Sequence, residues 1–396
     1  MRKKMYITLL TINIICLSAV LYIFTYLMQK ESGEIMPYNI YGEFISSAIN
    51  AKAKGLYGDG VHDDADKLNE ILSNYKRVYL PSGTYLISKT IVVPNGTMLF
   101  GDGLDTIIQL ADSYTLTGIA WRQDYKYPYL ILYGNTVLKS ILVNGDETAS
   151  ADQGQVGVMA HGDNISIENV KTNNTNYFPE DWIGGTSGYG TVNAPGYGIS
   201  VLNSSNVFVR DCVANGNGYE GIGIESSNFV TLEGCSVGDG NRTGIQIHRY
   251  SKNVLVSNCI VDNRNEYATA DITVHGESDD YINNLEIASC KIVSVHNASQ
   301  SGAIHTVTGA EENVYIHNCH INAHSSGITT SRYDQSSELS RKYIITDNII
   351  NSDGKGIELY GNEAIISNNI ITAGDMPIYM SGQDSVIENN LILSSN

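Results

Sequence analysis

VFVRDCV (207–213), VTLEGCSV (230–237) and VLVSNCIV (254–261) each set an alternating apolar segment before a thiol and another aliphatic residue. The same phrase returns as YIITDNII (343–350), AIISNNII (364–371) and SVIENNLI (385–392), with asparagine in the thiol's place. One position therefore recurs through most of the chain, as Asn169, Cys212, Cys235, Cys259, Cys290, Cys319, Asn348, Asn369 and Asn390, at steps of 43, 23, 24, 31, 29, 29, 21 and 21 residues. A period in the low twenties with insertions is the mark of stacked turns, each burying its apolar face against the next. Strand-like alternation, scarce proline and asparagine at the bends point to an all-β chain, a single-stranded right-handed parallel β-helix of roughly ten or more coils. Stacking brings equivalent positions to about 4.8 Å, so the recurring position becomes an inward-facing column at a coil corner.

That column sets the chemistry of the cysteines. Neighbouring rungs stand at a disulfide-compatible distance, yet five thiols in one column leave at least one unpaired, and asparagine fills the same place elsewhere. They read as buried free thiols acting as small hydrophobes. No CxxC or Cys/His spacing indicates a metal site, so no metal ligands are assigned.

The 396 residues carry 24 Lys and Arg against 42 Asp and Glu, a net charge of −18. Nucleic acid is excluded as a partner class, because phosphate binding needs a basic footprint. The 26 tyrosines are amphipathic side chains suited both to strands and to sugar faces.

Arg2, Lys3 and Lys4 precede an uncharged, mostly apolar run from Met5 to Met28, long enough to cross a bilayer. The reading is a signal anchor over 1–30, a tether over 31–50 and the β-helix over 51–396, placed outside the cytoplasm at the cell membrane or secreted. This start argues against a phage tailspike, which assembles in the cytoplasm.

A second repeated phrase locates a face: GVMAH at 157, GISVL at 198, GIGIE at 221, GIQIH at 244 and DITVH at 271. The second and fourth residues point inward, the third and fifth outward. The fifth position forms an outer column of His161, Leu202, Glu225, His248 and His275, with Gln246 and Thr273 beside it. Neighbouring coils put Glu225 and His248 about 5 Å apart, close enough for the carboxylate to orient the imidazole as a general base. An insertion at 176–196 carries Phe178, Trp182 and Tyr189, which can wall a groove and hold sugar rings.

GLYGDGVHDDADKLNEIL (55–72) followed by VYLPSGTYLISKTIVVPNGTMLFGDG (78–103) resembles the opening region of the pectate-lyase superfamily of β-helix proteins, the pectin-lyase-like fold. Here Gly58 and Gly60 make a turn, Asp63 or Asp64 caps a short helix, and Ala65, Leu68, Ile71 and Leu72 share its buried face, plugging the end of the solenoid. Capping and turn formation, rather than a site, are the roles expected of Asp59, Asp63 and Asp64.

YGISVLNSSNVFVRDCVANGNGYEGIGIES (197–226) and GNRTGIQIH (240–248) are similar to the mannuronan C5-epimerases, whose segment opens YGxDPH. The resemblance implies a catalytic role for Tyr197 and a substrate-binding role for Arg242. It departs at Ser200 and Leu202, which replace the motif's aspartate and histidine.

Abstracting the proton beside a uronate carboxyl needs a base, an acid and a stabiliser for enolate-like charge. Tyr197, Arg242, His248 and Glu225 are the catalytic candidates; His161, Trp182, Gln246 and His275 are the substrate-binding ones. The expected function is a C5-epimerase or lyase on uronic-acid polysaccharides. A glycoside hydrolase is one alternative, although Glu225 has no carboxylate partner in its column on either adjacent coil, and a non-catalytic carbohydrate-binding scaffold is another. No cofactor is required; calcium can join through Asp262, Asp279 and Asp280, without EF-hand spacing to support it.

Overall fold

The computed structural model describes residues 48–112, 126–145, 154–175, 196–217, 220–238, 243–263, 270–276, 282–295, 302–307, 311–331 and 340–394. Residues 49–396 cluster as one unit. Within it the chain repeats a three-strand coil: Tyr197–Leu202, Ser205–Arg210 and Val213–Asn215, then Glu220–Glu225, Asn228–Glu233 and Ser236–Gly238, then Thr243–His248, Lys252–Ser257 and Ile260–Asn263. Each strand pairs in parallel with its equivalent one coil on, so the fold is a right-handed parallel β-helix with three sheets.

The alternating pattern explains the core. Ile222, Ile224, Ile245, Ile247, Ile272 and Val274 fill the interior and are essentially inaccessible, as are their counterparts on the other sheets, Val230, Leu232, Val254 and Val256. Fully burying one such side chain contributes about 1.5–3 kcal/mol, and stacking repeats that gain at every rung.

At the corner between the second and third sheets a residue in the left-handed conformation turns the chain inward. Asp211, Gly234, Asn258, Ser289, Asn318 and Asp347 hold φ between 53° and 65° there. The small or amide-bearing residues tolerate a conformation that Cβ-branched ones resist. The next residue is the buried ladder: Cys212, Cys235, Cys259, Cys290, Cys319, Asn348 and Asn369, all inaccessible, the five thiols unpaired by disulfides. Asn348 and Asn369 bond along the stack: each donates from Nδ2, at 2.9 Å, and from its backbone N–H to the amide oxygen of the next rung. Asn169, expected in this ladder, instead occupies the exposed left-handed position with φ 50°, and Val170 is the rung that stacks beneath Cys212. Asparagine suits both places, which is why its identity alone misplaced it.

The helix Ala65–Asn74 buries Ala65, Leu68, Ile71 and Leu72, as expected of a plug. The three aspartates at its start are spent on backbone. Asp64 accepts from Tyr57 N and Gly58 N, Asp63 from Ala65 N and Ser88 N, and Asp59 from Val61 N and His62 N. Ile49 and Asn50, at the end of the span read as tether, already pair with Val78 and Tyr79. The apolar run read as an anchor lies outside the described residues. Among the described residues no helix is long and apolar enough to cross a membrane.

Candidate active site

The first sheet of each coil carries the face singled out above. Register partners across it are Tyr197, Glu220, Thr243 and Ala270 at the strand starts; Met159, Ser200, Gly223, Gln246, Thr273 and His305 in the middle; and Leu202, Glu225, His248 and His275 near the ends. The strand ends are fixed from inside by stacked serines. Ser204 Oγ donates to Leu202 O, Ser227 Oγ to Glu225 O and Ser251 Oγ to His248 O, so the backbone that carries the last outward side chain of each strand is tied down.

This outward face is polar and yet buried. Ser200, Glu220, Glu225, Gln246, Thr273 and His275 are each at most 9% exposed. Equivalent outward positions on the second sheet, such as Phe208, Thr231, Leu255 and Glu286, are half-buried or exposed. A solvated strand face does not look like this, because burying ionisable groups is costly unless they are paired or held in a site.

Three groupings stand out along it. The His248 and His275 rings lie 4.7 Å apart, centroid to centroid. Arg249, directly after His248, brings Nη1 to 3.8 Å from Glu225 Oε1, with both side chains largely buried. Glu220 lies at the opposite end of its strand from Glu225 and folds back over Gly223. A Cβ placed on Gly223 meets Glu220 Oε2 at 2.8 Å and the Tyr197 ring at 2.9 Å, so the carboxylate and the phenol ring are neighbours over a backbone bare of side chain. With its amide nitrogen turned toward Glu220, Gln246 donates to both carboxylate oxygens, one at 2.9 Å.

Of the residues expected from the sequence, Tyr197, Glu225, Gln246, His248 and His275 share this face. His161 stands apart from the other two imidazoles: its Nδ1 lies 3.2 Å from Leu202 O and its ring packs edge-on to Tyr133. Leu202 and Tyr197 join Ile131, Val156 and Met159 in a small apolar cluster separate from the main core. Arg242 and Trp182 lie outside the described residues. The expected partner of Glu225 was His248; the guanidinium of Arg249 also reaches it. Glu220 and Arg249 were missed because the repeated phrase was read from its glycine to its fifth residue, and these two flank it. Tyr197 marks the same flanking position one coil before Glu220. Among the described residues no group of three His, Cys, Asp or Glu is placed to hold a metal ion.

The family model of rhamnogalacturonase A/epimerase, pectate lyase-like proteins matches residues 48–269, more than half of the chain. The chain belongs to that family. It is also 24% identical over 251 residues to the pre-neck appendage protein of Bacillus phage B103, a match that covers 60% of this chain and 28% of the phage protein. The chain thus spans under a third of the length of that relative. Among solved structures, a mannuronan C-5 epimerase A-module of Azotobacter vinelandii superposes with a TM-score of 0.63 at 16% identity, over 87% of this chain and 99% of that one. The exopolygalacturonase of Thermotoga maritima does so with a TM-score of 0.58 at 15% identity, over 89% and 95%. At these identities the two structures establish the shared pectin-lyase-like β-helix. A phage appendage protein stands among the relatives, although the apolar N-terminal run had pointed away from a tailspike.

Proposed function

We propose that this family member is an exported polysaccharide-modifying enzyme that removes the C5 proton of a uronic-acid sugar, leading to epimerisation or β-elimination. The observation that carries the reading is the His248–His275 imidazole pair, His275 buried and His248 half-buried, beside Arg249 and Glu225 on the face that also holds Tyr197. His248 accepts the C5 proton. Arg249, with Arg242 as the family resemblance implies, stabilises the charge that develops on the sugar carboxylate. Tyr197 returns a proton, either to the opposite face of C5, giving the epimer, or to the departing O4, giving an unsaturated sugar and a new chain end. Glu225 holds Arg249, and Gln246 and Glu220 hold the floor of the groove near Tyr197. Trp182, His161 and His275 remain the proposed substrate contacts.

One observation favours a second reading. The Glu220 carboxylate over Gly223 stands two strand residues from Glu225, which sets the two carboxylates on the order of 7 Å apart, a spacing compatible with hydrolysis across a glycosidic bond. Incubating the protein with polygalacturonate, alginate and neutral polysaccharides separates the two. Unsaturated ends by absorbance, or epimerised residues by proton NMR, support proton abstraction; new saturated reducing ends alone support hydrolysis. Binding without any product supports a scaffold role, the reading that the phage appendage relatives favour.

A further inference from the structure

Four aromatic side chains are exposed by 40% or more among the described residues, and three of them fall on three successive coils beside the groove: Phe208 at 40%, Phe229 at 57% and Tyr250 at 54%. Scattered surface aromatics need no explanation. Two of these three, however, occupy backbone positions that resist them.

Phe229 belongs to a column that turns the chain from the first sheet into the second. Its register partners are Asn206 one coil before and Asn253 one coil after, and the column runs on through Asn284, Asn313, Lys342, Glu363 and Asp384. All of them are left-handed, with φ between 52° and 59°. Asparagine serves there twice over. It tolerates positive φ, and its amide bonds along the stack: Asn206 Nδ2 donates to Asn164 Oδ1, and Asn284 Nδ2 to Asn253 Oδ1. Phe229 holds φ 53° with no amide to offer, and Asn253 turns to Asn228 instead. A bulky aromatic at positive φ is a genuine outlier, and such strain persists where function holds it.

Tyr250 is an extra residue. Ser226 pairs with Arg249 through Ser226 N and Arg249 O, and Asn228 pairs with Lys252, so the later coil makes the same corner with one residue more. The insertion gives Tyr250 φ 40° and pushes its ring into solvent, directly after the arginine that reaches Glu225. Phe229 stands four residues beyond Glu225 itself. Phe208 completes the line: it pairs with Thr231, two residues beyond Phe229, on the outer face of the second sheet. The three rings therefore follow a diagonal from the end of the groove, over the corner, onto the adjoining sheet.

We infer that Phe208, Phe229 and Tyr250 form a sugar-stacking platform that carries the polysaccharide chain as it leaves the groove. The occupant is a run of pyranose rings, whose apolar faces suit flat, stiff aromatic surfaces and whose hydroxyls stay in water. The inference rests on the proposed groove, because the platform adjoins Glu225 and Arg249 and gains its meaning as their continuation.

The test is affinity electrophoresis in gels containing polygalacturonate, alginate or hydroxyethyl cellulose, with Phe229→Asn, Tyr250→Ala and His248→Gln compared with the unaltered chain. Phe229→Asn restores the residue that the column favours, so its melting temperature should equal or exceed that of the unaltered protein. A purely structural Phe229 therefore predicts a more stable protein with unchanged retardation. The platform predicts that Phe229→Asn and Tyr250→Ala each weaken binding of the retarding polymer roughly three- to tenfold. Unchanged binding in both variants overturns the platform while leaving the groove intact. His248→Gln with full turnover overturns the groove reading instead, and an unaltered protein retarded by none of the polymers removes both.

Discussion

Gly223 is the residue on which the proposed site turns. Its bare backbone lets the Glu220 carboxylate and the Tyr197 ring lie side by side in the middle of the strand, where any Cβ stands within 3 Å of both. Gly223→Ala leaves the inward Ile222 and Ile224 untouched and so should preserve the circular dichroism spectrum. It should also displace Glu220 and Tyr197 by enough to reduce turnover about tenfold to a hundredfold. Turnover equal to the unaltered protein would remove both groups from the reaction. At this scale the sequence was informative about identity and weaker about position. Glu225, Gln246, His248 and His275 were legible because strict alternation assigns every second residue to the outer face, and Tyr197 through the resemblance of its segment to the epimerases. Glu220 and Arg249 were not, since the coil bends at both ends of the strand and alternation stops there. The side chain of Glu220 reaches over Gly223 only because of that bend.

The coil corner is the element that sets the fold's precision. Asn369 is inaccessible, donates to Asn390 Oδ1, Ile345 O and Ser367 O, and accepts from the backbone and side chain of Asn348. Asn369→Ala leaves several of these groups buried and unbonded, at about 1–3 kcal/mol for each stranded group. Asn369→Cys should cost distinctly less, because a thiol fills the same place on five other coils and bonds the backbone carbonyls around it, as Cys212 does with Arg210 O at 3.3 Å. Urea denaturation of the two variants checks the order; equal losses would mean that the column is merely a volume to be filled. This corner also explains the misplacement of Asn169. A left-handed turn and an internal amide ladder are adjacent in the chain and recruit the same residue, so only the register against Cys212 separates them.

Across the whole molecule, three sheets wound around one continuous core make the thiols a probe of integrity. Cys212, Cys235, Cys259, Cys290 and Cys319 are shielded by the coils above and below. The hydrogen bond between Cys212 and Cys235, together with burial, holds the Cys212 thiol well above the ordinary thiol range. All five should stay unreactive toward a thiol reagent in the native protein and react together on unfolding; fast labelling of several in the native state contradicts the winding. The overall architecture was the most legible feature of the sequence, because periodicity averages over many coils and tolerates single misplacements. The chemistry rests on a handful of side chains on five of those coils. The most direct measurement is proton NMR of polygalacturonate and alginate after incubation in deuterium oxide with the unaltered protein and with His248→Gln. The account predicts solvent deuterium at C5, or vinyl signals from unsaturated ends, with the unaltered protein and their loss in the variant. New saturated reducing ends without either signal, or undiminished signals in His248→Gln, would contradict it.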